Sequence, residues 1–191
     1  FGLGTMTFGG KGFWQAMGAL GQNAVDGIVS CVLDLGINFI DTADVYSEGE
    51  SEELLGKSLK SIGMARTDVV VATKAYGIMG PGPNDRGTSR GHLLDACAAS
   101  LKRLQADYID LYQFHHIDRG TPWDEIWQAM EVAVQQGKIL YAGSSNFAGW
   151  HIAKAQAAAD KRNYTGLVSE QSIYNLIERT VELEVLPAAM D

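Results

Sequence analysis

The chain has 191 residues, of which 46% are hydrophobic and 20% charged, so it holds enough apolar material for one sizeable core. Its net charge of -8 argues against a nucleic-acid surface, because binding a phosphate backbone draws on clustered Lys and Arg. No apolar stretch is long enough to span a membrane.

The two cysteines, Cys31 and Cys97, lie on apolar stripes of separate predicted helices. They indicate buried hydrophobic side chains and a reducing compartment, the cytoplasm, rather than a disulfide framework.

Mostly unbroken apolar runs recur along the chain and predict strands that are covered on both faces. The predicted strands are 2–6, 37–40, 69–73, 108–114, 139–142 and 167–168. Segments with apolar residues at helical spacing follow them, and the last of these helices is expected at about 178–190. Before the fourth helix, Thr121 offers an N-cap hydroxyl and Pro122 suits the first helical position. Alternating strands and helices predict a parallel α/β domain.

The number of strand-helix units is six, whereas a closed (β/α)8 TIM barrel has eight and typically takes about 250 residues. We therefore expect residues 1–191 to form a single barrel domain truncated to about six units, incomplete at its C-terminus and also at its N-terminus. An open sheet of six strands would leave two unpaired edges, which native proteins normally close or cover. We expect such a six-unit chain, taken alone, to be inactive and to melt early.

Polar residues with useful chemistry follow the apolar runs with notable regularity. They are Asp41, Tyr46, Lys74, His115, Asn146 and Gln171. Because the C-terminal strand ends of a parallel barrel meet at one mouth, these residues are predicted to converge on one site. The loops 7–21, which includes Trp14, and 75–87 leave strands on the same side and are candidate walls of a substrate pocket.

The first four of these residues suit proton transfer to a carbonyl oxygen. A tyrosine has a pKa of about 10, so a tyrosine that acts as a general acid near neutral pH needs help. A nearby lysine ammonium is expected to lower that pKa, and an aspartate would hold the lysine charged. Taken singly, Asp41 could cap a turn and Lys74 could be surface charge. His115 and His116 could be rim or metal-binding residues, but a metal site should bring more ligands at the right spacing, so no metal is predicted.

A family resemblance rests on segments spread over the whole chain. These segments are FGLGTMTFGG, GINFIDTADVYSEGESEELLGKSL, VVVATKAYG, DYIDLYQFHHID, GKILYAGSSNF and SEQSIYNL. In this order they resemble the successive signature segments of the aldo-keto reductase family. The resemblance implies a (β/α)8 barrel that binds a nicotinamide dinucleotide, usually NADPH, at its mouth and reduces aldehydes or ketones.

The resemblance also implies roles for particular residues. The catalytic tetrad would be Asp41, Tyr46, Lys74 and His115, with Tyr46 as the proton donor. The residues that hold the nicotinamide carboxamide would be Ser145, Asn146 and Gln171, and Asp41 would also lie at the cofactor. Gly4, Thr5 and Met6 would line the cofactor near the first strand. NADPH rather than NADH is expected only because members of the family usually use NADPH. A small carbonyl compound is the expected substrate.

A non-enzymatic alternative stays open, because the superfamily also contains channel-associated β subunits that bind the cofactor and act as partners. The tetrad does not separate the two classes, since such subunits can retain it. A partner-binding surface would separate them. The predicted helix faces instead carry what resembles ordinary solvated charge, at Lys57, Lys60, Lys102, Arg103, Lys161 and Arg162. The enzyme is therefore favoured, and the sequence carries no signal of oligomeric state.

Overall fold

Six short strands, each followed by a helix, make up the computed structural model, which describes residues 1–191. The strands are β1 (Leu3–Gly4), β2 (Phe39–Asp41), β3 (Val70–Ala75), β4 (Ile109–Phe114), β5 (Ile139–Ser145) and β6 (Leu167–Gln171). The helices are α1 (Gln22–Asp34), α2 (Glu50–Ile62), α3 (Arg90–Leu104), α4 (Trp123–Gln135), α5 (Gly149–Asp160) and α6 (Val185–Met190). Short 3-10 turns lie at Gly12–Ala16, Tyr46–Gly49, Arg66–Asp68 and Thr180–Glu182.

All six strands pair in parallel, and their order in the sheet is their order in the chain. The register places Lys74 of β3 beside Gln113 of β4, and Ser145 of β5 beside Gln171 of β6. β1 and β6 are the two edges, so the sheet is a half-barrel rather than a closed one. This confirms the prediction of a truncated (β/α) barrel with six units.

The two faces of the strands serve different purposes. On β4, Tyr112 and Phe114 belong to the apolar core, and the Tyr112 hydroxyl donates to the Leu93 carbonyl of α3 at 3.1 Å. Gln113 lies between them and points to the other face, because successive strand residues alternate. The helices cover the first face with side chains such as Val29 of α1 and Trp127 of α4. The core therefore lies between sheet and helices, and the opposite face is free to carry polar groups.

The last helix is shorter than predicted. The sequence predicts a helix over about 178–190, but the structure has a 3-10 turn at Thr180–Glu182 and a helix only at Val185–Met190. Pro187 explains the difference, because proline lacks an N–H and its ring clashes with the carbonyl four residues earlier. A helix that began at Glu178 would place Pro187 in its interior, whereas α6 accommodates it in the first turn.

Two local predictions were wrong. Cys97 is buried as expected, but Cys31 is exposed. Cys31 lies two residues after the buried Val29, which at 3.6 residues per turn places it on the opposite side of α1. The Thr121 hydroxyl does not cap α4, which begins at Trp123 after Pro122. It donates instead to Asp118 Oδ2 at 3.0 Å.

No helix of the structure is long and apolar enough to cross a membrane.

Candidate active site

Four side chains meet at the C-terminal ends of β2, β3 and β4 and are called the tetrad cluster here. Asp41 is the last residue of β2, Lys74 lies near the end of β3, and His115 follows β4. Tyr46 begins the 3-10 turn that follows β2. The structure thus brings together all four residues that the sequence predicts as catalytic, although they span 75 positions of the chain, from 41 to 115.

Lys74 is the centre of the tetrad cluster and is completely buried. Its Nζ donates to Asp41 Oδ2 at 2.6 Å, to the Thr42 carbonyl at 2.9 Å and to Tyr46 Oη at 3.4 Å. All three N–H donors of the ammonium thus have an acceptor. A buried charge is tolerable only when it is paired and hydrogen-bonded, and Lys74 meets that condition.

The other oxygen of the Asp41 carboxylate is held by a residue that the sequence analysis missed. Gln113 Nε2 donates to Asp41 Oδ1 at 3.1 Å, and Gln113 is almost fully buried. A polar residue two positions before His115 shares its face of the strand, so the alternation along β4 was a signal for it. Asp41 is therefore fixed by a charged donor on one oxygen and a neutral donor on the other.

Tyr46 is packed between two rings at the rim of the sheet. The Trp14 ring lies 5.3 Å from it, centroid to centroid, and the His115 ring lies 5.7 Å away on an edge-to-face geometry with an interplanar angle of 78°. Trp14 comes from the loop after β1, which the sequence predicts as a pocket wall. Edge-to-face packing of this kind holds the phenol in a defined orientation beside the imidazole.

Burial dominates the acid–base properties of the tetrad cluster. It raises the pKa of Tyr46 to about 12, with a further contribution from the Asp41 charge. It lowers the pKa of Lys74, although Asp41 opposes this, and together with the Lys74 charge it lowers the pKa of His115 to about 4. The expected lowering of the Tyr46 pKa was therefore wrong for this structure. Burial is the main reason and the Asp41 charge the second, and together they outweigh the Lys74 ammonium, whose Nζ lies 3.4 Å from the phenol oxygen.

Three further side chains, called the strand-end amide cluster, lie at the ends of β5 and β6. Ser145 ends β5 and is buried, Asn146 follows it and is exposed, and Gln171 ends β6 and is also exposed. Asn146 Nδ2 donates to Ser145 Oγ at 3.0 Å and to the His115 carbonyl at 3.4 Å. The Asn146 backbone N–H donates to the Gln171 carbonyl at 2.9 Å. The structure thus groups these three predicted residues and connects them to the end of β4.

The three predicted residues of the first strand have different surroundings. Gly4 is exposed, with no atom within 4 Å of the position that a Cβ would take, and Met6 is exposed as well. Thr5 is completely buried, and its Oγ1 is 2.9 Å from the Ser51 hydroxyl of α2. The Thr5 hydroxyl is therefore committed to joining the end of β1 to α2, whereas Gly4 and Met6 are exposed at this edge of the sheet.

A second buried set of charges lies beside the tetrad cluster. Asp44 is completely buried and neither carboxyl oxygen has a hydrogen-bond partner, and burial together with the nearby Glu52 raises the pKa of Asp44 to about 8. Arg103 Nε donates to Glu52 Oε2 at 2.6 Å. The prediction that Arg103 is ordinary solvated charge was therefore wrong, because its partner is a fully buried carboxylate that no sequence spacing reveals.

No group of three or more His, Cys, Asp or Glu side chains in the structure is arranged to hold a metal ion. His115 and His116 are adjacent, with ring centroids 6.3 Å apart. His92 and His151 lie on α3 and α5.

Comparison with known families identifies the family to which the chain belongs. The model of the aldo/keto reductase family matches residues 1–191, which is the whole chain. The chain belongs to the aldo/keto reductase family. The family assignment explains why residues from separate strand ends form one cluster at the mouth.

The names of individual relatives describe both enzymes and a channel subunit. An uncharacterized oxidoreductase of Bacillus subtilis is 51% identical over 99% of the chain and 58% of its own length. A probable voltage-gated potassium channel subunit beta of Arabidopsis thaliana is 39% identical over 96% of the chain and 55% of its own length. The versiconal hemiacetal acetate reductase of Aspergillus parasiticus is 36% identical over 99% of the chain and 59% of its own length. The chain thus spans somewhat more than half the length of these relatives.

Proposed function

We propose that the full-length protein, meaning the complete translation product that contains this chain, reduces an aldehyde or ketone to an alcohol with NADPH. The observation that carries this proposal is the position of Lys74 Nζ, 2.6 Å from the Asp41 carboxylate and 3.4 Å from Tyr46 Oη. It provides a proton donor with a buried cation beside it. The names of two relatives, one an uncharacterized oxidoreductase and the other a reductase, support the same reaction class.

The strand-end amide cluster fits the cofactor that the proposal requires. The side-chain amides of Asn146 and Gln171 are exposed at the mouth and offer both donors and acceptors, which is what a nicotinamide carboxamide needs. Gly4 has no side chain, so the cofactor could approach the backbone of β1 at this position. When bound, NADPH would supply the hydride that the carbonyl carbon accepts. NADPH rather than NADH is proposed from the family resemblance.

Tyr46 would donate the proton from Oη to the carbonyl oxygen of the substrate. The raised pKa of Tyr46 keeps the phenol protonated at neutral pH, and the alkoxide that forms is a stronger base than a phenolate, so the proton moves in the required direction. The Lys74 ammonium would then stabilise the phenolate that remains. Asp41 and Gln113 would hold Lys74 in place before the reaction begins, which is a preorganised charge arrangement.

His115 would orient the substrate. Because burial and the Lys74 charge lower its pKa to about 4, the imidazole is neutral near pH 7. A neutral imidazole has one N–H, which can donate to the substrate oxygen beside Tyr46.

The proposed location is the cytoplasm, in keeping with the free thiols of Cys31 and Cys97.

A second candidate function is that of a nicotinamide-binding partner subunit without turnover as its main role. Relatives named as potassium channel β subunits in Arabidopsis and rice, 39% and 38% identical, favour it. The tetrad cluster does not distinguish this function from that of a reductase.

A panel of aldehydes and ketones, assayed with the full-length protein and NADPH, tests both functions. We expect consumption of NADPH with formation of the matching alcohol, and weaker activity with NADH. Tight binding of NADPH without reduction of any carbonyl in the panel would favour the partner subunit. Failure to bind NADPH at all would contradict both.

A further inference from the structure

The turn after β5 has an unusual backbone that depends on the side chain of Glu170. At Asn146 the backbone takes φ of 59°, a left-handed conformation that asparagine tolerates better than most residues. The backbone N–H of the same residue donates to the Gln171 carbonyl, which is the last bond between β5 and β6 before the turn. The next N–H, that of Phe147, donates at 3.0 Å to Glu170 Oε1.

Glu170 accepts hydrogen bonds from three groups of this region. Oε1 accepts from the Phe147 N–H and from the Ser172 hydroxyl at 2.7 Å, and Oε2 accepts from the Ser144 hydroxyl at 2.5 Å. An irregularity in the pairing of β5 and β6 places Glu170 opposite Ser144: two steps along β5, from Ala142 to Ser144, match three along β6. Such bulges re-aim side chains near functional sites.

We infer that Glu170 is a positioning residue for the proposed cofactor site, and this inference rests on the proposed function. Its carboxylate ties the turn that carries Ser145 and Asn146 to the strand that carries Gln171. The strand-end amide cluster therefore keeps one arrangement in the free protein, and the carboxamide would bind without having to order the turn. Preorganisation of this kind increases affinity by reducing the entropy lost on binding.

The three donors decide which substitution breaks this tie. A carboxylate only accepts hydrogen bonds, whereas a carboxamide has one acceptor oxygen and an NH2 group that donates. In Glu170→Gln, the oxygen can face the Phe147 N–H and the NH2 group can face the Ser144 hydroxyl, which can rotate to accept, so the tie persists. In Glu170→Ala every acceptor is lost, and the Phe147 N–H has no side-chain partner.

The turn has a second, apolar anchor that keeps a Glu170 variant folded. The buried Phe147 ring stacks on the Phe114 ring at 6.3 Å with an interplanar angle of 10°, and it packs against the Trp123 ring at 6.1 Å. Loss of the carboxylate thus loosens the turn without releasing it from the core.

The test compares Glu170→Ala with Glu125→Ala in the full-length protein. Glu125 Oε1 accepts from the Arg90 backbone N–H at 3.0 Å, so the control removes a carboxylate from a backbone donor between two outer helices. We expect amide hydrogen exchange at Phe147 to become about tenfold faster or more in Glu170→Ala, as loss of a charge-assisted hydrogen bond implies. The control should leave Phe147 exchange unchanged, and the conservative Glu170→Gln should stay close to the unsubstituted protein.

In the full-length protein, Glu170→Ala should raise the Kd for NADPH about tenfold, while kcat at saturating NADPH changes less than about threefold, because the tetrad cluster is not touched. A purely structural residue would lower the amount of active protein without moving Kd. Unchanged exchange at Phe147, or faster exchange with unchanged Kd, would overturn the inference. If the unsubstituted full-length protein does not bind NADPH, the proposed function itself fails, which the same titration reveals directly.

Discussion

In the tetrad cluster the polar atoms lie inside the half-barrel, whereas in the strand-end amide cluster two of three side chains are exposed at its edge. Lys74 is completely buried and its acceptors come from the same buried region. Asn146 and Gln171 are exposed, and β6 has no strand beyond it. The two clusters are joined by the hydrogen bond from Asn146 to the His115 carbonyl.

This difference separates two kinds of energetic contribution. Charges in a buried environment interact strongly, so the removal of one member leaves its partner unpaired at high cost. Hydrogen bonds between neutral groups replace bonds to water, so each contributes only about 1 kcal/mol. Substitutions in the tetrad cluster should therefore abolish the chemical step, whereas those in the strand-end amide cluster should weaken binding by modest factors.

The largest effect is expected from Tyr46→Phe, which removes only the hydroxyl and keeps the ring packed against Trp14 and His115. Without the proposed proton donor, kcat of the full-length protein should fall by about a thousandfold or more. The Kd for NADPH, measured by fluorescence titration, should change little because the strand-end amide cluster is untouched. An active phenylalanine variant would show that another group protonates the substrate.

A large loss is also expected from Lys74→Met, which replaces the buried ammonium by an apolar chain of similar length. The Tyr46 phenolate would lose its nearest cation, and Asp41 would be left buried without its ion-pair partner. We expect kcat near neutral pH to fall about a hundredfold or more, the order of magnitude for a group that assists proton transfer. Lys60→Met, at an exposed position of α2, is the control and should behave like the unsubstituted protein. Normal activity of Lys74→Met across the pH range would contradict the proton-donor arrangement.

A smaller effect should follow from removing both exposed amides, in Asn146→Gly with Gln171→Ala. Glycine is used at position 146 because it adopts φ of 59° without strain. Loss of two hydrogen bonds of about 1 kcal/mol each should raise the Kd for NADPH more than tenfold. Gln136→Ala, an exposed amide at the end of α4, is the control. Unchanged NADPH titration in the double variant would count against a nicotinamide at this edge.

The parts of the fold that local pattern controls were predictable from the sequence. Unbroken apolar runs predicted the strands of the half-barrel, and apolar residues at helical spacing predicted α1, α3 and α4. The positions of Lys74 and His115 followed from the rule that parallel strands share one mouth. By contrast, the end of the chain was predicted poorly, since the helical pattern over 178–190 does not reveal that Pro187 tolerates only a first-turn position.

What the sequence could not supply are interactions between side chains from separate strands. Gln113 reaches Asp41, and Glu170 reaches Phe147, through distances set by sheet curvature and by a bulge. The raised pKa of Tyr46 likewise depends on its burial and on its distance from the Asp41 charge. Spacing along the chain contains neither quantity.

The last prediction concerns stability rather than turnover: Asp44 is as buried as Lys74 but has no hydrogen-bond partner, so its carboxyl is held neutral near pH 7 instead of being paired. Its pKa in the folded chain is about 8 and the ordinary value is 3.8, so the folded state binds the proton more tightly between these pH values. Stability from this group is therefore complete at low pH and is lost as pH rises from about 4 to about 8. The low pKa of His115 works in the opposite direction, but it is common to all variants.

In Asp44→Asn this loss disappears, so the melting temperature of the chain should rise relative to the unsubstituted chain at pH 8 and differ little at pH 5. Circular dichroism at both pH values measures the difference, and Asp34→Asn, at the exposed end of α1, is the control. The variant and the unsubstituted chain share every other titrating group. The change in their melting-temperature difference between pH 5 and pH 8 therefore reports Asp44 alone. A melting temperature that falls equally at both pH values would mean that the Asp44 carboxylate is ionised and paired in solution. The contrast with Lys74 would then vanish.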